Sequence, residues 1–178
     1  MSNQEMNVKK IVFVGENQCG KSSIIRRIES NTFSTDYVPT HTIDFKMRYL
    51  KAKSPSLTFG CWTVCWDIAG QQEISPMNKV YYKDAESAVI VFDINQPDPL
   101  GKIIKWFNDL RNNLPKRIQI HVGGNKSEIY FGKEKEIRDF CEKNKIASYT
   151  QVSAKDGNGI IEIIHEITKG LIVTELDE

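Results

Sequence analysis

The chain has 178 residues, enough for one domain with a substantial core and no covalent staples. Lys and Arg number 24 against 23 Asp and Glu, a formal net charge of +1, so no charge field points to nucleic acid or to an anionic membrane surface. The four cysteines, Cys19, Cys61, Cys65 and Cys141, form no CxxC pair and no Cys–His spacing suited to zinc, which predicts reduced thiols in a cytoplasmic protein.

In chain order, the polar residues 1–7 read as a flexible tail without a signal-peptide core, and Ser2 excludes N-myristoylation. A strand over 9–14 contains the apolar run Ile11-Val12-Phe13-Val14 and leads into a helix over 21–30. Strands over 43–51 and 56–66 are separated by the polar, Pro-containing stretch Lys51–Pro55, which predicts an antiparallel hairpin. A helix over 75–82, a strand over 87–93, a helix over 99–113, a strand over 118–123, a helix over 132–144, a strand over 147–152 and a helix over 158–172 follow. In the last of these, Ile160, Ile161, Ile163, Ile164, Ile167 and Leu171 recur at helical spacing, as expected of a face packed on a sheet. Alternating strands and helices predict an α/β fold with a six-stranded, mixed but mostly parallel sheet, one antiparallel hairpin and helices on both faces. The domain is expected to span 8–173, with 174–178 opening a C-terminal tail. No apolar run reaches membrane-spanning length.

Between the first strand and the first helix stands Gly15-Glu16-Asn17-Gln18-Cys19-Gly20-Lys21-Ser22. A triphosphate presents several anionic oxygens that a loop of free backbone N–H groups can surround, and the spacing GxxxxGKS predicts such a loop. Gly15 and Gly20 let the main chain approach, Lys21 offers a point charge to the outer phosphates, and Ser22 offers a hydroxyl to Mg²⁺. The helix beginning there aims the positive end of its dipole at the same place.

Further along come Tyr37-Val38-Pro39-Thr40, Asp67-Ile68-Ala69-Gly70-Gln71, Asn125-Lys126-Ser127-Glu128 and Ser153-Ala154-Lys155. In order and spacing, together with the phosphate loop, these resemble the Ras-superfamily small GTPases, from Val8 to about Ile172. Within that superfamily His41-Thr42-Ile43-Asp44-Phe45, Cys65-Trp66-Asp67, Tyr81-Tyr82-Lys83-Asp84-Ala85 and Val91-Phe92-Asp93-Ile94 resemble the Rab branch. The resemblance implies a P-loop GTPase fold and a GTP/GDP switch in membrane traffic. Ser22 and Thr40 would ligate Mg²⁺ and Asp67 would hold it through a water. Thr40 and the amide of Gly70 would sense the γ-phosphate, so that its loss releases two segments. Gln71 would orient the attacking water, with Lys21 and Thr40 completing the catalytic set. Phe33, Lys126, Glu128 and Ala154 would meet the base, and Asn125 and Ser153 would tie the loops together. Asn17, Gln18, Cys19, Ser23, Tyr37 and Lys155 complete the implied nucleotide contacts. Intrinsic turnover of about 10⁻⁴ s⁻¹ and a ~10⁵-fold rise from a partner's arginine are expected of such a design. An exchange factor, a GTPase-activating protein and effectors are the implied partners of a monomer that binds no nucleic acid.

Four departures qualify the resemblance. Glu128 stands where the family has Asp, adding a methylene that Gly123-Gly124 is expected to absorb, with guanine selectivity kept. Asn17 and Gln18 replace smaller residues and are expected to crowd the γ-phosphate; a nucleotide-locked adaptor is therefore the alternative. Thr42 replaces a Gly. No cysteine follows Cys141, so prenylation is not expected on this sequence, and attachment to the cytosolic face of endomembranes would need a further tail or a partner. Period-two alternation puts Trp62, Val64 and Trp66 on one face of their strand and Cys61, Thr63 and Cys65 on the other. With Phe45 and Tyr81, Trp62 and Trp66 would form a partner-docking face.

Overall fold

A computed structural model describes residues 8–36, 40, 43–53, 58–69, 76–129, 132 and 134–176. The predicted roles of Tyr37, Gly70 and Gln71, the Thr42 substitution and the proposed hairpin turn at Ser54-Pro55 lie outside these residues.

The first strand, β1 (Val8–Val14), is buried at four consecutive positions, Ile11 to Val14, which is the pattern of a central parallel strand covered on both faces. It is followed by α1 (Lys21–Ser30), β2 (Ile43–Lys53), β3 (Thr58–Ile68), α2 (Asn78–Tyr82), β4 (Ser87–Asp93) and α3 (Pro99–Asn113). Then come β5 (Gln119–Asn125), a 3₁₀ turn at Ser127–Ile129, α4 (Glu134–Lys143), β6 (Ser148–Gln151) and α5 (Ile160–Leu176). The six strands form one sheet in the order β2-β3-β1-β4-β5-β6. Only β2 and β3 run antiparallel, as the predicted hairpin requires.

Two apolar layers sandwich the sheet. Ile24, Ile25 and Ile28 of α1 and Ile160, Ile163, Ile167 and Leu171 of α5 pack on one side of β1, β3 and β4. Tyr82, Ile103, Trp106, Phe107 and Leu110, with Ile137 and Cys141 of α4, pack on the other. The stripe of the last helix is therefore a core face at Ile160, Ile163, Ile167 and Leu171, with Ile164 partly buried against it; Ile161, wrongly expected on that face, is 79% exposed because it falls on the solvent side of the helix. The helix itself runs to Leu176 rather than 172, since no Pro or Gly follows Gly170 in this segment to stop it. The hairpin differs from its predicted bounds: β2 continues to Lys53 and β3 is displaced by two residues, to Thr58–Ile68, so Lys51 to Lys53 belong to the ladder and not to the turn. None of the four cysteines is in a disulfide, and all are buried.

On β3 the alternation holds. Cys61, Thr63 and Cys65 are buried beneath α1 and α5, while Trp62 on the opposite face is 39% exposed. Phe45 and Trp66 lie 6.0 Å apart centre to centre, and Tyr49 and Trp62 5.5 Å apart, across the register pairs Phe45↔Trp66 and Tyr49↔Trp62. Lys10 of β1 sets its ammonium 3.4 Å from the Trp66 ring centre and donates to the carbonyl of Lys83. The outcome is an exposed aromatic stripe along the edge of the sheet, continuous with the core at Trp66 and Tyr81.

Candidate functional site

In an open, mostly parallel sheet, the carboxyl ends of the strands meet the loops that can hold a ligand. Here the loops after β1, β5 and β6 converge with the start of α1. Of the residues singled out from the sequence, Asn17, Gln18, Gly20, Lys21, Ser22 and Ser23 line one open cleft from the phosphate-loop side. Phe33, Thr40, Asn125, Lys126, Glu128, Ala154 and Lys155 line it from the others. Gly15, Cys19, Asp67 and Ser153 are buried behind this lining.

The phosphate loop is pressed against its neighbours. Gly15 has φ +148°, and a Cβ there would come within 2.0 Å of the Val91 carbonyl oxygen. Gly20 has φ +94°, and a Cβ would meet Asn125 Nδ2 at 2.1 Å. Only glycine satisfies both the backbone angle and the space. Lys21, buried at the start of α1, donates from Nζ to the carbonyls of Gly15 at 3.1 Å and Glu16 at 3.0 Å. Its ammonium is thus folded back over the loop. Burial raises the Cys19 thiol, which stays protonated against the loop interior.

At the mouth of α1, Ser22 and Thr40 both donate to Asp67 Oδ2, Thr40 at 3.1 Å, and the two hydroxyls stand 3.0 Å apart. Burial is the largest influence on Asp67 and raises its pKa above the ordinary carboxylate range, opposed by the Ser22 hydrogen bond and the Lys21 charge. Its second oxygen, Oδ1, is buried with no partner among the described residues. Such an oxygen calls for a donor, a water or a cation. The donor set is two hydroxyls and one carboxylate, and no group of three His, Cys, Asp or Glu that could hold a metal ion occurs among the described residues. That chemistry fits a hard ion that keeps its own waters, as Mg²⁺ does, and not a thiophilic or imidazole-bound metal.

The base side is tied together by Asn125. Its Nδ2 donates to the Cys19 carbonyl at 2.8 Å and its Oδ1 accepts from the Ala154 amide at 3.1 Å, linking the loops after β1, β5 and β6 through one buried carboxamide. Lys126, with φ +65°, places Nζ 2.7 Å from Asp93 Oδ2, so its stem borders the cleft while its charge is engaged at the end of β4. Ser153 Oγ accepts from the Asp156 amide at 3.0 Å, closing the turn. Glu128 sits exposed in the 3₁₀ turn.

One sequence expectation is corrected here. Gly123 and Gly124 do not supply slack for Glu128: both lie within β5, where added Cβ atoms would meet Ile163 Cδ1 at 3.1 Å and Phe92 Cζ at 3.0 Å. They are packing glycines, and any adjustment for the longer side chain falls to the 3₁₀ turn. Arg27, Asp93 and Glu16 escaped sequence reasoning. Arg27 donates from Nε to the Ala154 carbonyl at 3.0 Å and from Nη2 to that of Lys155 at 2.6 Å, clamping the loop after β6 from α1. Nothing local marks it, since its partners are 127 and 128 residues away. Asp93 was findable, as the last residue of a buried strand at the ligand end of the sheet.

A family model described as "Ras family" matches residues 10–172. The chain belongs to the Ras family. This Ras-family protein is 34% identical over 165 residues to Ras-related protein Rab-32C of Dictyostelium discoideum, covering 90% of its own chain and 71% of that relative. It is 32% identical over 154 residues to Rab-11C of the same organism, covering 85% and 66%. Against human Rab-32 it is 31% identical over 171 residues, covering 92% and 75%. Membership makes it a small GTPase, with relatives drawn from the Rab-named branch, as its motifs indicated. No helix among the described residues is long and apolar enough to cross a membrane.

Proposed function

We propose that this protein is a Mg²⁺-dependent GTP/GDP switch of the Rab kind, with slow intrinsic hydrolysis, that regulates membrane traffic through partner docking. The observation that carries the reading is the convergence of Ser22, Thr40 and Asp67 beside Lys21, with Asp67 Oδ1 buried and unpartnered. Ser22 and Thr40 would ligate Mg²⁺ and Asp67 would hold it through a water; the ion supplies neutralisation of phosphate charge. Lys21 would exchange the loop carbonyls it now holds for outer phosphate oxygens. Thr40 is at once a site residue and part of the first switch segment, so the state of the phosphate would be felt in that segment. Gln71 orients the attacking water, and Gly70 reads the γ-phosphate through its amide. Phe33 and the Lys126 stem flank the base, the Ala154 amide meets its carbonyl oxygen, and Glu128 accepts from its N–H groups. Tyr37, Ser23 and Lys155 complete the nucleotide shell. The domain spans 8–173.

Exchange factor, activating protein and effectors are the proposed partners. The aromatic stripe, exposed at Phe45 and Trp62 and partly buried against the core at Trp66 and Tyr81, supports an effector role, because an apolar patch that reaches the surface of a folded domain is best explained as a docking surface. Phosphate release by the wild type and by Gln71→Leu tests the enzyme reading. A loss in the variant of at least tenfold is expected; equal rates would instead favour a nucleotide-locked adaptor, the reading that the side chains of Asn17 and Gln18 in the loop support.

A further inference from the structure

Glu16 is the one carboxylate of the phosphate loop, and it turns away from the cleft. Its Oε1 accepts from Lys105 Nζ at 2.9 Å and from Trp106 Nε1 at 3.2 Å, both on α3. The Glu16 side chain is only 17% exposed, and Trp106, at 2% exposed, is set in the core among the residues of α3 and β4. The indole N–H is therefore a fixed donor that a buried acceptor must meet. The main chain of the same residue does something different: its carbonyl holds Lys21 Nζ at 3.0 Å. One residue thus connects α3 through its side chain to the phosphate-directed lysine through its backbone.

The rest of the loop is braced elsewhere. Gly15 abuts Val91 of β4, and the Cys19 carbonyl is held by Asn125 of β5. Glu16 is the brace on the α3 side. Its carboxylate is shared by an ammonium that is 32% exposed and a buried indole N–H, and a charge-assisted contact partly shielded from solvent is stronger and more directional than a fully exposed pair.

We infer that Glu16 is a positioning residue for nucleotide retention: anchored by Lys105 and Trp106, it fixes the peptide that aims Lys21 at the outer phosphates. The inference rests on the reading that the cleft holds a guanine nucleotide. It does not require Glu16 to touch that nucleotide. A loosened brace lets the Glu16 carbonyl rotate, so Lys21 is presented over a wider range of angles and the phosphates escape sooner.

The test compares the wild type with Glu16→Gln, Lys105→Met and the double variant. Dissociation of a fluorescent GDP should be about tenfold faster in each single variant, the scale of one charge-assisted hydrogen bond. The double variant should be no faster than the singles, because both remove the same brace. Competition by GMP should be unchanged, since it lacks the outer phosphate that Lys21 addresses. The Trp106 indole proton should move upfield in the NMR spectrum of Glu16→Ala and stay near its wild-type position in Glu16→Gln, which keeps an acceptor. An unchanged GDP dissociation rate, effects that multiply in the double variant, or an equal loss for GMP would each overturn the inference. If the wild type binds no GDP, the functional reading falls and takes this one with it; wild-type binding with unmoved variants removes only the role of Glu16.

Discussion

His121 is a buried imidazole outside the lining of the cleft. It lies on β5 opposite Ser148 of β6, and its Nδ1 is 2.8 Å from the Ser148 hydroxyl. Nε2 has no partner among the described residues and faces Gly170 of α5, where a Cβ would come within 3.4 Å. Burial pushes its pKa down to about 4 from 6.5. Between those values the unfolded chain binds the proton that the folded one refuses, so stability falls as pH drops through this window. The loss should be about 2 kcal/mol between pH 7.5 and pH 5. Urea denaturation at the two pH values checks it: His121→Gln, which can still meet Ser148 but does not titrate, should lose about 2 kcal/mol less than the wild type over the same interval. An equal acid loss in both proteins would mean that another group carries it. At this scale the sequence was legible wherever the chemistry is local. Eight consecutive residues announced the phosphate loop, because two close-approach glycines, a lysine and a hydroxyl act within one turn. Glu16, Arg27 and His121 were not legible, because what each does depends on a partner brought near only by folding: α3, the loop after β6, and β6 with α5.

Elements show the same division. Strand and helix order followed from periodicity, and the central strands were recognisable because burial on both faces leaves an unbroken apolar run, as in β4. The polar contact between α2 and α3 had no such signal. Tyr82 donates to Asp109 Oδ2 at 2.5 Å and Asn78 Nδ2 donates to the same oxygen at 3.2 Å, while Asn113 reaches Oδ1 at 3.1 Å. Asp109 is 8% exposed, so each donor offsets part of the cost of burying its charge. Tyr82→Phe removes one donor and leaves the carboxylate in place; it should cost about 1–3 kcal/mol in chemical denaturation. A change below about 0.5 kcal/mol, the range of an ordinary surface substitution, would mean that water or the two asparagines satisfy Asp109 without the tyrosine. The aromatic stripe predicts the reverse pattern. Trp62 is 39% exposed and stacks edge-on with Tyr49, so Trp62→Ser should leave thermal stability nearly unchanged while abolishing capture of a GTP-state effector. A large fall in melting temperature would instead make the residue structural.

Across the whole molecule, the cleft is where otherwise separate elements meet. Asn125 joins the loops after β1, β5 and β6, Arg27 clamps the last of these from α1, and Ser22, Thr40 and Asp67 bring together α1, the segment before β2 and the end of β3. A ligand in that cleft bridges every element that supplies a wall, and unfolding must release it first. Free GDP with Mg²⁺ at a thousandfold excess over its dissociation constant should add about 4 kcal/mol. For a domain of this size that corresponds to about 10 °C in melting temperature. Chelating the Mg²⁺ should remove much of the shift, because Asp67 then faces the phosphates as a buried charge without its counterion. ATP at the same concentration should add nothing if Glu128 discriminates as an aspartate would. The longer side chain is carried by a 3₁₀ turn held at one end by the Ser127 amide on the Val152 carbonyl, at 3.2 Å, and it stands exposed at the rim, so it can fold back by one methylene without moving β5. Equal thermal shifts with GDP and ATP would show that the turn does not make this adjustment, and would make the cleft a general nucleotide site in which Lys21 and the loop amides bind phosphate and nothing reads the base.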